Sequence, residues 1–295
     1  MRLRRPCPVC GAARARPAWH EAGERYVRCS ACTTLFSDIT EEHYVAAQRN
    51  AWHDDDLDPG ALAFYGRARE LAQARFLATH PPAAAGRLLD VGCGLGFFVE
   101  RALAAGWDAY GCDTSVAWTA SARQRVGDER VRTGELGSAI AQDARFDLIT
   151  SWDVLEHVFH PIPFLRAIAG RLAPGGRVFI RTPNEAWVYP TYAARRRLLG
   201  DDVELGPLNH VVYYRSATLA RALAAGGLRA VQWPSLPPPQ VSLGNRASLN
   251  GSRRTAVVAV KNAHAALARR LAAGSDGRLV LSSDLDAIAV AAGAG

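Results

Sequence analysis

One stretch constrains the fold more than any other. Leu88-Leu89-Asp90-Val91 is an apolar strand that runs straight into Gly92-Cys93-Gly94-Leu95-Gly96-Phe97-Phe98, a glycine-rich turn opening a helix. Such a sharp turn needs residues that tolerate unusual φ, and a backbone without Cβ lets a ligand approach closely. The next strand ends at Asp113, where a carboxylate can accept hydrogen bonds from a pair of ribose hydroxyls. Turns of this sort punctuate many α/β proteins that hold no ligand, so the turn alone establishes only an α/β fold. Two details narrow the ligand. The spacing is G-x-G-x-G, not the G-x-G-x-x-G of dinucleotide folds, and Asp90 at the strand end would repel a pyrophosphate. An acid there suits a ligand with a cationic amino-acid portion, and S-adenosylmethionine (SAM) is such a ligand.

Strand and helix patterns alternate from Arg87 to Thr182, and Pro174-Gly175-Gly176 gives a stop signal before the run Arg177 to Thr182. Alternation of this kind predicts a mostly parallel sheet with helices on both faces and a ligand site at the carboxyl ends of the strands. Further landmarks follow in order: Gly134-Glu135-Leu136 after a short strand, then Phe146-Asp147-Leu148-Ile149-Thr150-Ser151-Trp152-Asp153-Val154-Leu155-Glu156-His157-Val158. From about Arg87 to Leu228, and again over the last strand, the chain resembles the class I SAM-dependent methyltransferases of the small-molecule branch. The resemblance implies a Rossmann-like sheet. It also implies cofactor contacts at Asp90, Gly92, Cys93, Gly94, Gly96, Phe97, Asp113, Thr114, Glu135, Leu136, Ser151, Trp152 and Asp153, with Asp113 on the ribose and Glu135 near the adenine.

Cysteine spacing marks a separate N-terminal unit. Cys7-Pro8-Val9-Cys10 and Cys29-Ser30-Ala31-Cys32 are two C-x-x-C knuckles 18 residues apart, and four thiolates on two tight turns match the tetrahedral demand of a structural zinc. No ligand position is left open for water, so this metal holds the fold and performs no chemistry. The boundaries expected are 1–40 for the zinc ribbon, 41–80 for a connector and helical cover, and 81–295 for the SAM-binding domain. Within the cover, helical periodicity from Ala61 to Thr79 turns Leu62, Tyr65, Leu71, Phe76 and Leu77 to one side, while Trp52 to Pro59 reads as a polar acidic loop.

The net charge of +7 raises nucleic acid as a partner, but Lys261 is the only lysine and the scattered arginines are not interleaved with aromatics as a base-stacking groove requires. No run approaches the roughly 18 apolar residues of a membrane span, and the N-terminus lacks an apolar signal core, so a cytoplasmic enzyme is expected.

The segment 183–208, with Trp187, Tyr189, Tyr192 and an arginine triplet, is too long for a simple connection and is expected to be a substrate lid. It leads into Asn209-His210-Val211-Val212-Tyr213-Tyr214-Arg215-Ser216-Ala217-Thr218-Leu219. This block resembles an E-H-x-x-x-F-S-x-x-S-L element of zinc-ribbon methyltransferases, including sugar-nucleotide C-methyltransferases of deoxysugar biosynthesis. The resemblance implies that His210 is a candidate general base, although Asn209 stands where those enzymes carry a carboxylate to orient the imidazole. A histidine anchoring the lid is the alternative. His157, after the fourth strand, is a second candidate, with shaping of the pocket floor as its alternative.

Near the C-terminus, Leu228 to Trp233 and Asp286 to Ala291 read as the last two strands, separated by an insertion, 234–275, that could widen the acceptor site or make a homodimer contact. The function expected is SN2 transfer of a methyl group from SAM to a small polyhydroxylated acceptor, a sugar nucleotide or specialised metabolite, with a side-chain base. The rivals are a methyltransferase of nucleic acid or protein, and a non-catalytic protein whose ribbon recruits a partner.

Overall fold

A computed structural model describes residues 3–21, 23–51, 66–67, 69–84, 86–199, 205–206, 208–236, 270, 274–275, 280 and 282–293. The acidic loop at 52–59, most of the 234–275 insertion and the start of the expected 61–79 helix lie outside them.

Seven strands build the main sheet: β4 (Arg87–Val91), β5 (Asp108–Asp113), β6 (Val131–Thr133), β7 (Phe146–Trp152), β8 (Leu172–Pro183), β10 (Leu228–Gln232) and β11 (Asp284–Ala291). Their order is β10-β11-β8-β7-β4-β5-β6. β4 to β8 pair in parallel, whereas β11 runs antiparallel to both β8 and β10. The chain therefore leaves β4 toward one edge through β5 and returns to its other side at β7, which places a crevice at the carboxyl ends of β4 and β7.

Side chains of β4 alternate between two apolar layers, as a strand period of two requires. Leu88 joins Phe76, Phe98, Val99 and Trp107 on one face, under the helices Glu70–Thr79 and Phe97–Ala104. Leu89 and Val91 join Leu165, Ile168, Leu219 and Leu223 on the other, under the helices Pro161–Ala169 and Ser216–Ala225. Leu71, expected on the buried side of its helix, is 52% exposed, because Ala72, Gln73, Phe76 and Leu77 form the inward face.

A smaller sheet of order β1-β2-β3-β9 carries the cysteines, with β1 at Ala15–Glu21, β2 at Glu24–Cys29 and β3 at Leu35–Ser37. Its fourth strand, β9 (Val212–Tyr213), comes from far along the chain and pairs Leu35 with Tyr213 and Phe36 with Val212. Cys7, Val9, Val27 and Phe36 belong to the same apolar cluster as Leu89 and Val178. The cysteine-bearing sheet is thus completed by, and shares a core with, residues well beyond the boundary expected at 40.

The segment expected as a lid contains the helix Glu185–Leu199. Its Val188, Tyr189, Tyr192 and Ala193 pack on Trp19, Tyr26 and Tyr213, and the Tyr189 hydroxyl donates to the Ala18 carbonyl at 2.8 Å. Tyr189 and Tyr192 are thus packed on the small sheet, Trp187 is 36% exposed, and Tyr189 and Ala193 line a surface hollow together with Trp19, His20 and Arg196. Arg28, from β2, bonds the buried Glu185 at the helix start, which also pairs with Arg215. Among the described residues no helix is long and apolar enough to cross a membrane.

Candidate functional site

The turn after β4 is shaped by steric necessity. Gly92, Gly94 and Gly96 all have positive φ, at 77°, 51° and 78°. A Cβ on Gly92 would lie 2.3 Å from Val154 Cγ2, and one on Gly96 would lie 2.9 Å from Ala122 Cβ. Glycine is therefore required for both conformation and close approach. Asp113 holds the turn against β5: its carboxylate accepts from Gly94 N and Ser115 N, each at 2.9 Å. Burial raises the Asp113 carboxyl above its ordinary range, and these backbone donors oppose the shift.

Asp90 is 2% exposed beneath the turn and accepts from Thr150 Oγ1 at 2.7 Å. Burial pushes its carboxyl up to about 7; the Thr150 bond opposes this, nearby Asp113 adds to it, and Arg69 opposes it. A cationic group seated here would restore the charged form. Asp153, directly after β7, has φ 54° and is ion-paired with Arg69. A non-glycine residue in this region is uncommon, and such strain gathers at functional sites. Thr114 is exposed beside Asp113, and Glu135 is exposed after β6.

Four of the residues expected at the cofactor have side chains engaged in protein packing, as the small soft side chain of Cys93 suggests for that position. Trp152 is 5% exposed within an aromatic cluster of Phe76, Phe98 and Phe179, with centroids 5.6, 5.1 and 4.5 Å away. Cys93 packs against Gly111, whose added Cβ would lie 2.7 Å from its sulfur. Leu136 is in the core, and Phe97 lies under the Arg125 guanidinium at 3.9 Å. Ser151 is fully buried between β4 and β8 neighbours, and its hydroxyl has no partner among the described residues.

Beyond the end of β7, the turn Leu155–His157 meets the segment before β9. Val211 N donates to the Glu156 carbonyl at 2.7 Å, and the rings of His157 and His210 lie edge to face at 4.7 Å between centroids. Burial lowers the His157 imidazole and, together with His157, lowers His210 to about 3, so both rings are neutral. No carboxylate takes the place of Asn209 at His210, whose Nδ1 lies 3.0 Å from the Tyr213 hydroxyl; Glu156, 1% exposed, instead has an oxygen 3.9 Å from His157 Nε2. The sequence pattern gave Glu156 no role of its own and did not mark Arg69, Thr150 or Trp118, whose ring would be 3.1 Å from a Cβ on Gly94.

Farther out, the four thiols of Cys7, Cys10, Cys29 and Cys32 lie within 4.8 Å of one another. Cys7–Cys32 and Cys10–Cys29 sulfurs are 3.6 Å apart, close to the edge of about 3.8 Å that a tetrahedron with metal–sulfur bonds of about 2.3 Å would have. Each knuckle closes alike: Gly11 N bonds the Cys7 carbonyl, Thr33 N bonds the Cys29 carbonyl, and both turn residues have positive φ. The donor set fits a tetrahedral thiophilic cation.

A family model described as a methyltransferase domain matches residues 35–232. The ubiquinone biosynthesis O-methyltransferase of Aromatoleum aromaticum is 32% identical over 180 residues, covering 56% of this chain and 74% of that protein. The enzyme of the same name from Methylococcus capsulatus is 30% identical over 196 residues, covering 64% and 81%. In fold alone, the chain is similar to one solved in the complex between the Haloferax volcanii Trm112 methyltransferase activator and a methyltransferase, with a TM-score of 0.55, 16% identity and coverage of 86% of this chain and 99% of that one.

Proposed function

The chain belongs to the methyltransferase-domain family, within the class I SAM-dependent methyltransferases, and from that premise we propose that it methylates a hydroxyl of a small polyhydroxylated acceptor. The observation that carries this reading is the buried Asp90 beneath a glycine turn tied to Asp113, at the strand ends where β4 and β7 part. Bound there, SAM supplies a methyl group already activated on a sulfonium, so alignment and removal of the acceptor proton are what the protein must add. Asp90 faces the amino-acid portion as a counter-charge. Asp113 accepts from ribose hydroxyls with the lone pairs left by Gly94 N and Ser115 N.

The acceptor side is bounded by Asp153, His157 and His210. Hydroxyl methylation, with a sugar nucleotide or a specialised metabolite as acceptor, is supported by relatives named as O-methyltransferases and by the two neutral imidazoles beside the β7 end. The four thiols take a structural zinc in this reading, and free thiols suit a reducing compartment such as the cytoplasm. The zinc unit comprises residues 1–40 together with β9, and holds the His210 segment in place.

The test is methyl transfer from SAM labelled at the methyl group, offered to sugar nucleotides, catechols and glycosides. Label in a small-molecule product is expected. Label appearing in RNA, DNA or protein would overturn the acceptor class, and SAM binding without turnover on any acceptor would favour a binding protein.

A further inference from the structure

The two imidazoles and Glu156 are arranged more fully than a proton acceptor requires. One ligand atom from each of Glu156, His157 and His210 lies within 4.8 Å of the others. Hydrogen bonds fix the tautomers. His157 Nδ1 is 2.9 Å from the Asn209 carbonyl, which only accepts, so Nδ1 carries the proton and Nε2 carries the lone pair. His210 Nδ1 is 3.0 Å from the Tyr213 hydroxyl, whose own proton goes to the Leu205 carbonyl at 2.9 Å. His210 Nδ1 is therefore a donor too, and its Nε2 is left as a ligand atom. Imidazoles that donate one N–H to an oxygen acceptor and present the other nitrogen are the pattern of metal-bound histidine.

Glu156 completes the set. It is 1% exposed, its Oε1 faces His157 Nε2, and its Oε2 has no hydrogen-bond partner among the described residues. An orphaned buried carboxylate oxygen is costly unless something occupies the space beside it. Arg69, the nearby cation, is committed to Asp153. The backbone is pinned on both sides: Val211 N bonds the Glu156 carbonyl, and the Tyr26 hydroxyl bonds the His210 carbonyl.

We propose that Glu156, His157 and His210 bind a divalent transition-metal ion with open coordination positions that take the acceptor's hydroxyls. Two imidazoles and one carboxylate select this class of ion over magnesium or calcium, and three protein ligands leave room for substrate oxygen. Glu156 is buried, while the two imidazoles are half-buried. The metal's role rests on the methyl-transfer reading above. A hydroxyl bound to the cation loses its proton to solvent. Its oxygen then forms a bond to the methyl carbon as the carbon–sulfur bond breaks, and that electron pair stays on sulfur, leaving methyl ether and S-adenosylhomocysteine.

The experiment uses the full chain with its thiolate site loaded with zinc, and titrates it with Co2+. Metal content after desalting and the visible cobalt spectrum are the readouts, with S-adenosylhomocysteine affinity measured by calorimetry on the same samples. One zinc plus one cobalt per chain is expected, with cobalt bands that lack thiolate charge transfer. Glu156→Gln, nearly isosteric, and His210→Ala should each weaken Co2+ binding at least tenfold while zinc and S-adenosylhomocysteine binding persist. A wild-type chain that takes no cobalt, or cobalt retained equally in both variants, overturns the proposal. Loss of S-adenosylhomocysteine binding in the wild type would instead remove the methyl-transfer reading and leave the metal site standing.

Discussion

Replacing Gly92 with alanine probes the cofactor turn at its tightest point. The new Cβ would lie 2.3 Å from Val154 Cγ2, 3.2 Å from Cγ1 and 3.3 Å from Cβ, on a backbone whose φ is 77°. Two costs add. Holding an alanine in the left-handed region costs about 1–2 kcal/mol, and overpacking a closed site costs about 1–3 kcal/mol. Gly92→Ala should therefore lose about 2–5 kcal/mol of the roughly 5–15 kcal/mol that a domain possesses. Val154→Ala in the same chain removes both γ carbons and leaves only the 3.3 Å contact. The double variant should then recover the overpacking part, giving a coupling of about 1–3 kcal/mol, while the strain of about 1–2 kcal/mol remains. Urea unfolding of the four proteins of the cycle measures this directly. Wild-type stability in Gly92→Ala, or costs that simply add in the double variant, would refute the steric reading of the turn.

Asp113→Ala should weaken SAM binding by about 1–3 kcal/mol, the range for lost hydrogen bonds to a charged group, and calorimetry showing equal affinity would exclude it from the pocket. Asp90 gives a pH dependence. Its carboxyl sits at about 7 in the free protein, and a bound ammonium group would favour the ionised form, so binding releases a proton below that pH. Affinity should rise with pH by at most about tenfold per unit up to about 7 and level above it; calorimetry in buffers of different ionisation enthalpy reads the proton, and a flat profile without release contradicts the pairing. In the free protein the sign is opposite, because an acid with a raised pKa costs folding stability as pH climbs toward 7. Stripping the cysteine site with a strong chelator should lower the melting temperature and abolish methyl transfer, since β3 carries β9 and the His210 segment; an unchanged melting curve would argue against a structural metal.

What the chain declares locally, it declares well. The turn from Asp90 to Gly96, the acid at the end of β5 and the paired cysteine knuckles each follow from residues near one another in sequence, where steric and ligand demands act directly. Trp152 was harder to place because β7 is buried on both faces, so no alternation says which way the ring points, and only packing with Phe76, Phe98 and Phe179 decides it. The helix Glu185–Leu199 carries an aromatic stripe that suits a lid or an interface equally well. Its packing against the small sheet through Val188, Tyr189 and Tyr192 depends on a two-residue strand, β9, too short to announce itself. Arg69 with Asp153, and Glu156 with His210, are long-range pairings of polar residues, and no local period marks such partners.

Native mass spectrometry of the freshly purified chain, before and after SAM is added, tests the central claim most directly. One SAM or S-adenosylhomocysteine per chain is the result predicted for an intact Asp90–Asp113 pocket. A folded, metal-loaded chain that takes up neither would contradict it.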